Sequence, residues 1–154
     1  MDQNSLENLV KEIVEKASVL KDKYVEEKNA LVNYACIFSQ DGSEFNDLVE
    51  ITKQIGSIIK DTPTGPLFHI HPINTVSGQL KLLKIRQPNK TRPEQGDADF
   101  TVDNFEDFKK KYISQDHFKL IPRDGFEMIE LMDNEFDVRS YFSNPPLDKQ
   151  LNIN

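Results

Sequence analysis

The chain has one cysteine in 154 residues and no tryptophan. A single thiol, Cys36, closes no intrachain disulfide and builds no cysteine-based zinc site, so the fold must hold by packing alone. Cys36 sits in the apolar run from Leu31 to Phe38, with no adjacent basic residue to depress its pKa. It reads as a small buried hydrophobe rather than a reactive thiolate. No apolar stretch approaches the roughly 20 residues that span a bilayer. The segment from Met1 to Val10 is acidic and polar, where a secretory signal would be basic and then apolar. A cytoplasmic protein is expected. Positive charge is also short, with 19 Lys and Arg against 26 Asp and Glu and a net charge of −7. Such a field repels phosphate backbones and anionic lipid, so neither nucleic acid nor a membrane surface is an expected partner. A Gly-rich phosphate loop, a nucleophile elbow and Cys/His zinc spacing are all missing, and no catalytic residue can be named.

What is present is a strongly patterned chain. Ten Phe and four Tyr supply bulky core material, and the length suits one domain. Leu6, Leu9, Val10, Ile13, Val14, Ala17 and Leu20 fall at helical spacing, with Tyr24 continuing the stripe. This predicts a long amphipathic helix within residues 1–28, opened by Ser5 as N-cap, that packs on the domain or on a partner. A strand follows at 31–38. Asp41 then opens a helix with an inner face of Phe45, Leu48, Val49, Ile51, Thr52 and Ile55, stopped by Gly56. Strands are predicted at 57–62, 67–73 and 79–86.

The connector 87–96 carries two prolines and a glycine. The same order then returns: a strand at 97–102, a short helix with Asp103 and Glu106 as its capping pair, and strands at 118–121, 126–131 and 136–142. The pattern βαβββ thus occurs twice, at 31–86 and 97–142, followed by a surface tail at 143–154. The expected class is α+β, a cupped mixed sheet built from two modules. A ferredoxin-like alternative would need a second helix between Ser57 and Arg86, where no helical pattern is found.

Two successive βαβββ modules resemble the vicinal oxygen chelate superfamily of glyoxalase I, extradiol dioxygenases and bleomycin-resistance proteins. The run from Asp97 to Lys109 resembles that family's opening strand and capped helix, and Phe126 to Phe142 its closing hairpin with an acidic turn. The resemblance covers about two-thirds of the chain and implies one metal or ligand cavity inside a cupped sheet. It implies metal ligands at the opening positions, here Asn33 and Asp97, and at the closing positions, here around Lys81 to Ile85 and Arg139. These are not the family's His/Glu set, and a cation at a ligand position repels a metal. The resemblance therefore bears on the fold more than on glyoxalase or dioxygenase chemistry.

Alternation places Asp97, Asp99 and Thr101 on one strand face, and Asp137, Arg139 and Tyr141 on one face of another. If the apolar faces pack on helices, the polar faces gather in the cup. Asp97, Asp99, Arg139, Tyr141 and Arg86 are then candidates for binding a small polar ligand, with Arg139 or Arg86 forking a carboxylate or phosphate. The competing reading is a hydrated face whose charges form weak surface pairs. His69 and His71 would share one strand face and could hold a divalent metal with Asp97, Asp99 or Glu127. An HxH pair alone lacks a third ligand at a defined offset, and two half-exposed strand histidines are the plainer reading.

The connector from Lys90 to Asp97 would serve equally as a ligand-gating loop or as a plain crossover. The expected function is small-molecule binding, or an enzyme of unknown reaction. A metal-dependent enzyme using His69 and His71 is one alternative. The other is a non-catalytic assembly subunit, a homodimer through the N-terminal helix or a sheet edge.

Overall fold

Helix α1 (Gln3–Tyr24) lays its apolar stripe across one face of a sheet, and that stripe organises the core. Leu6, Val10, Ile13, Val14, Ala17 and Leu20 are all fully buried. The computed structural model describes residues 1–153. After α1 come β1 (Leu31–Phe38), α2 (Gly42–Thr52), β2 (Gly56–Thr62), β3 (Gly65–Thr75) and β4 (Gly78–Arg86). The second half follows with β5 (Gly96–Thr101), α3 (Phe105–Tyr112), β6 (Phe118–Arg123), β7 (Phe126–Leu131) and β8 (Val138–Asn144), then a short α4 (Leu147–Gln150). No helix among the described residues is long and apolar enough to cross a membrane.

The eight strands form one mixed, open sheet in the order β2-β3-β4-β1-β5-β8-β7-β6. Each module is a four-stranded half with its first strand parallel to its last, β1 to β4 and β5 to β8. The halves join through the antiparallel pair β1–β5, where Ala35 faces Ala98. Alternation sorts the side chains: Ala35, Ile37, Leu83, Ile85, Ala98, Phe100, Val138 and Phe142 point into the core with the helices. Ser140 Oγ donates to Ala17 O at 2.7 Å, pinning α1 to β8 from within that layer. The opposite face belongs to the site.

Several boundaries differ from the sequence-based expectation for local reasons. Asp2, not Ser5, caps α1, its side chain accepting from Ser5 N. The helix stops at Tyr24 because Lys21, fully buried, draws the chain back: its Nζ donates to Glu27 O and Lys28 O at 3.1 and 3.2 Å. Asp41 caps α2 as expected, but the helix ends at Thr52 and Gly56 opens β2 instead. A Cβ on Gly56 would lie 2.3 Å from His69 O, so its role is close strand approach rather than helix termination. Asn104, not Asp103, caps α3, accepting from Asp107 N; both residues are good caps and their order alone does not choose between them. The expected surface tail at 143–154 begins within β8 and carries α4, which Asp148 N seats against β1 by donating to Asn33 Oδ1.

Candidate functional site

β2 and β6 are the two outer strands of the sheet, yet residues from both ends of it line one cavity of about 520 Å³. Thr62 comes from the end of β2, Pro63 and Thr64 from the β2–β3 turn, Ile121 and Arg123 from β6, Phe126 and Met128 from β7. A flat sheet could not bring these together, so the sheet curls into a cup on the face away from the helices. Gly65 permits the tight turn at one rim: its φ is +144°, and a Cβ there would lie 1.9 Å from Ile85 O.

The floor is set by register. Cys36 pairs with Lys84 on one side and with Asp97 on the other, and Asp97 pairs with Arg139. Lys84, Cys36, Asp97 and Arg139 therefore form one row across four central strands. Tyr34 and Arg86 also face the cavity from β1 and β4, Tyr141 from β8 and Arg92 from the connector. Four cations, Lys84, Arg86, Arg92 and Arg123, thus share a cup with a single carboxyl group, Asp97. This local excess stands against a net charge of −7 for the chain.

The polar groups behind the wall are braced. Arg139 donates to Thr91 O at 2.7 Å and meets Glu94 at 3.1 Å and Glu130 at 3.4 Å, its guanidinium lying over the Phe38 ring. Tyr141 donates to Glu130 and accepts from Arg92 at 3.2 Å. Lys84 donates to Thr64 Oγ1. Among the described residues, Arg86 Nε and Asp97 Oδ1 in the cup are buried without a hydrogen-bond partner, as are Arg139 Nε and Asp99 Oδ1 behind the wall. Such orphaned polar atoms are costly unless something completes them. Burial lifts the Asp97 carboxyl to about 7, although Arg92, Lys84, Arg86 and Arg139 all pull it down. Burial also lowers the Lys84 ammonium and raises the Cys36 thiol and the Tyr34 phenol.

The sequence-based candidates divide accordingly. Asp97, Arg86 and Tyr141 stand in the cup wall. Asp99 is fully buried beneath it, accepting from Ser143 Oγ, and Arg139 braces the wall from behind. Glu130 joins this network, whereas Glu127 turns to Lys109 on α3, 2.7 Å away. Sequence reasoning missed Lys84, Arg92, Arg123 and Tyr34. Lys84 was legible, two residues before Arg86 on one strand face; Arg123 was not, because only the curl of the sheet brings β6 over the floor.

His69 and His71 lie elsewhere. Both are exposed on β3, while Phe68 and Ile70 alternate with them into the core, and the strand's irregularity comes before Ile73. His71 Nε2 sits 2.6 Å from Glu7 Oε1 of α1. Among the described residues no three His, Cys, Asp or Glu side chains converge on a metal-sized point. The four cations around Asp97 suit an anion and would repel the metal that the chelate resemblance implies.

No protein-family model matches this chain, and no curated protein matches it. One solved structure, described as the structural-genomics target "Protein EC4020", is similar over 91% of this chain and 86% of its own, with a TM-score of 0.68 and 9% identity. That likeness shows a shared fold. A glyoxalase I mutant from Zea mays is similar over 74% of this chain and 43% of its own, at a TM-score of 0.43 and 17% identity. An overlap that loose transfers neither chemistry nor ligand.

Proposed function

We propose that this chain binds a small organic anion in the cup, as a binding protein or as an enzyme acting on such a molecule. One observation carries the reading: four cations from β4, the connector and β6 converge on one cavity, and the buried Arg86 Nε has no partner there. A carboxylate or phosphate would complete that guanidinium with charge-assisted hydrogen bonds. Ile121, Phe126, Met128 and Pro63 offer the same ligand an apolar wall. The doubled βαβββ order with one cup agrees with a vicinal oxygen chelate scaffold, used here without that family's metal ligands.

The test is titration with phenylacetate and propyl phosphate, followed by amide NMR shifts and thermal unfolding. Binding should move resonances of residues 34–36, 84–86, 92 and 121–128, and Arg86→Gln combined with Arg92→Gln should weaken it by at least tenfold. If neither anion perturbs those residues at millimolar concentration, the reading fails.

A further inference from the structure

Cations alone would make the cup a sink for any small anion, but the floor also holds a carboxyl with an unsatisfied oxygen. Asp97 is 93% buried, from a relative exposure of 7%, and its Oδ1 has no partner. Its side chain shares the cavity wall with Lys84, Arg86 and Arg92. On the floor row only Cys36 separates it from Lys84, so the backbones of the two charged residues are two strand spacings, about 10 Å, apart. A long lysine side chain and a short aspartate then present a cationic and an acceptor pole with a small thiol between them. A simple anion would satisfy the first pole and be repelled by the second. An anion that also carries a hydrogen-bond donor satisfies both.

We infer that Asp97 selects, among the anions the cup accepts, those that also bear a hydroxyl or amino group near the acid, as hydroxy acids, amino acids and polyol phosphates do. This rests on the anion-binding reading of the cup and adds a specificity residue to it. Asp97 is the acceptor for the donor group, and Lys84, Arg86 and Arg92 hold the acid. The structure favours this over a purely structural role because Asp97, unlike the likewise buried Asp99 on the same strand face, lines the cavity beside Lys84, Arg86 and Arg92.

Matched probes test it. Mandelate against phenylacetate, and glycerol 1-phosphate against propyl phosphate, each add hydroxyl donors to the same acid group. Affinities are measured by calorimetry at pH 8.5. The hydroxylated member of at least one pair should bind wild-type protein about tenfold more tightly, and the pair that shows the gap identifies carboxylate or phosphate as the acid recognised. In Asp97→Ala the gap should close while the plain acid binds at least as well, since a repelling charge has gone. Asp97→Asn, which keeps the shape and one acceptor oxygen, should retain part of the gap and controls for folding. Equal binding of both members by wild type, with loss in the Arg86→Gln, Arg92→Gln variant, overturns the selectivity and leaves the cup reading intact. Equal weakening of both members in Asp97→Ala also overturns it, marking a structural role. If no acid binds at all, the cup reading itself falls.

Discussion

Cys36 and Asp97 face each other across the junction of the two modules, so a thiol and a carboxyl group share the centre of the cup floor. Cys36 is 3% exposed, and burial raises its thiol well above the ordinary value, with Asp97 adding to the effect. A thiol kept protonated is a poor nucleophile. Native protein at pH 8 should therefore resist iodoacetamide for hours, while urea-unfolded protein is alkylated within minutes, as intact-mass measurement would show. Rapid native labelling would mean the cup opens far enough to solvate its floor.

The buried carboxyls make stability depend on pH in a defined direction. Burial lifts Asp99 to about 8, with Ser143 pulling it down and Asp97 pushing it up; Asp97 itself lies near 7. In the unfolded chain both ionise near about 4. Between about pH 4 and pH 8 the unfolded state has lost protons that the folded state still holds, so stability falls as pH rises through that window and levels off above it. The groups facing the pair are Lys84, Arg86, Arg92, Arg139, Tyr34, Cys36, Tyr141 and Ser143. Urea midpoints taken from pH 5 to pH 8.5 should decline in wild type. Asp99→Asn, which never ionises, should flatten that slope and gain most at the alkaline end. An unchanged slope would show that Asp99 is already ionised at pH 5.

Alternation is why so much of the site was legible. On β5 and β8 the two-residue period is unbroken, and that period alone assigns Asp97, Asp99, Arg139 and Tyr141 to one face. The same rule reaches Lys84 from Arg86. It breaks only beyond His71, where a bulge adds residues to β3 without any sequence signal. It is silent on Arg123 and Arg92, whose positions depend on sheet curl and on the path of a loop. Strand patterning sorts faces; it does not say which distant strands will meet over a cavity.

Lys21 shows a fully buried charge with every obvious need met. Its Nζ lies 2.6 Å from Asp22 Oδ1, donates to Glu27 O and Lys28 O, and sits over the Phe100 ring. It ties the end of α1 to the turn that leads into β1. Lys21→Met keeps the aliphatic bulk but leaves two carbonyls without their donor. A loss of about 2–4 kcal/mol is expected, measured by urea denaturation, with earlier proteolytic cleavage in residues 25–30. A loss below about 0.5 kcal/mol would show that water replaces the ammonium at no cost.

Removing α1 separates the assembly reading from the core reading of that helix. Its five large buried side chains, Leu6, Val10, Ile13, Val14 and Leu20, are fully sequestered within this one chain. At roughly 2 kcal/mol each they contribute about 10 kcal/mol, as much as the entire net stability of a typical domain, about 5–15 kcal/mol. A chain lacking residues 1–25 should therefore fail to fold, giving collapsed amide dispersion and no cooperative melt. The milder Ile13→Ala should cost about 2–5 kcal/mol and leave a folded protein. A truncated chain that melts cooperatively and loses only self-association would instead make α1 an accessory docked from outside, and the buried stripe a surface meant for a partner.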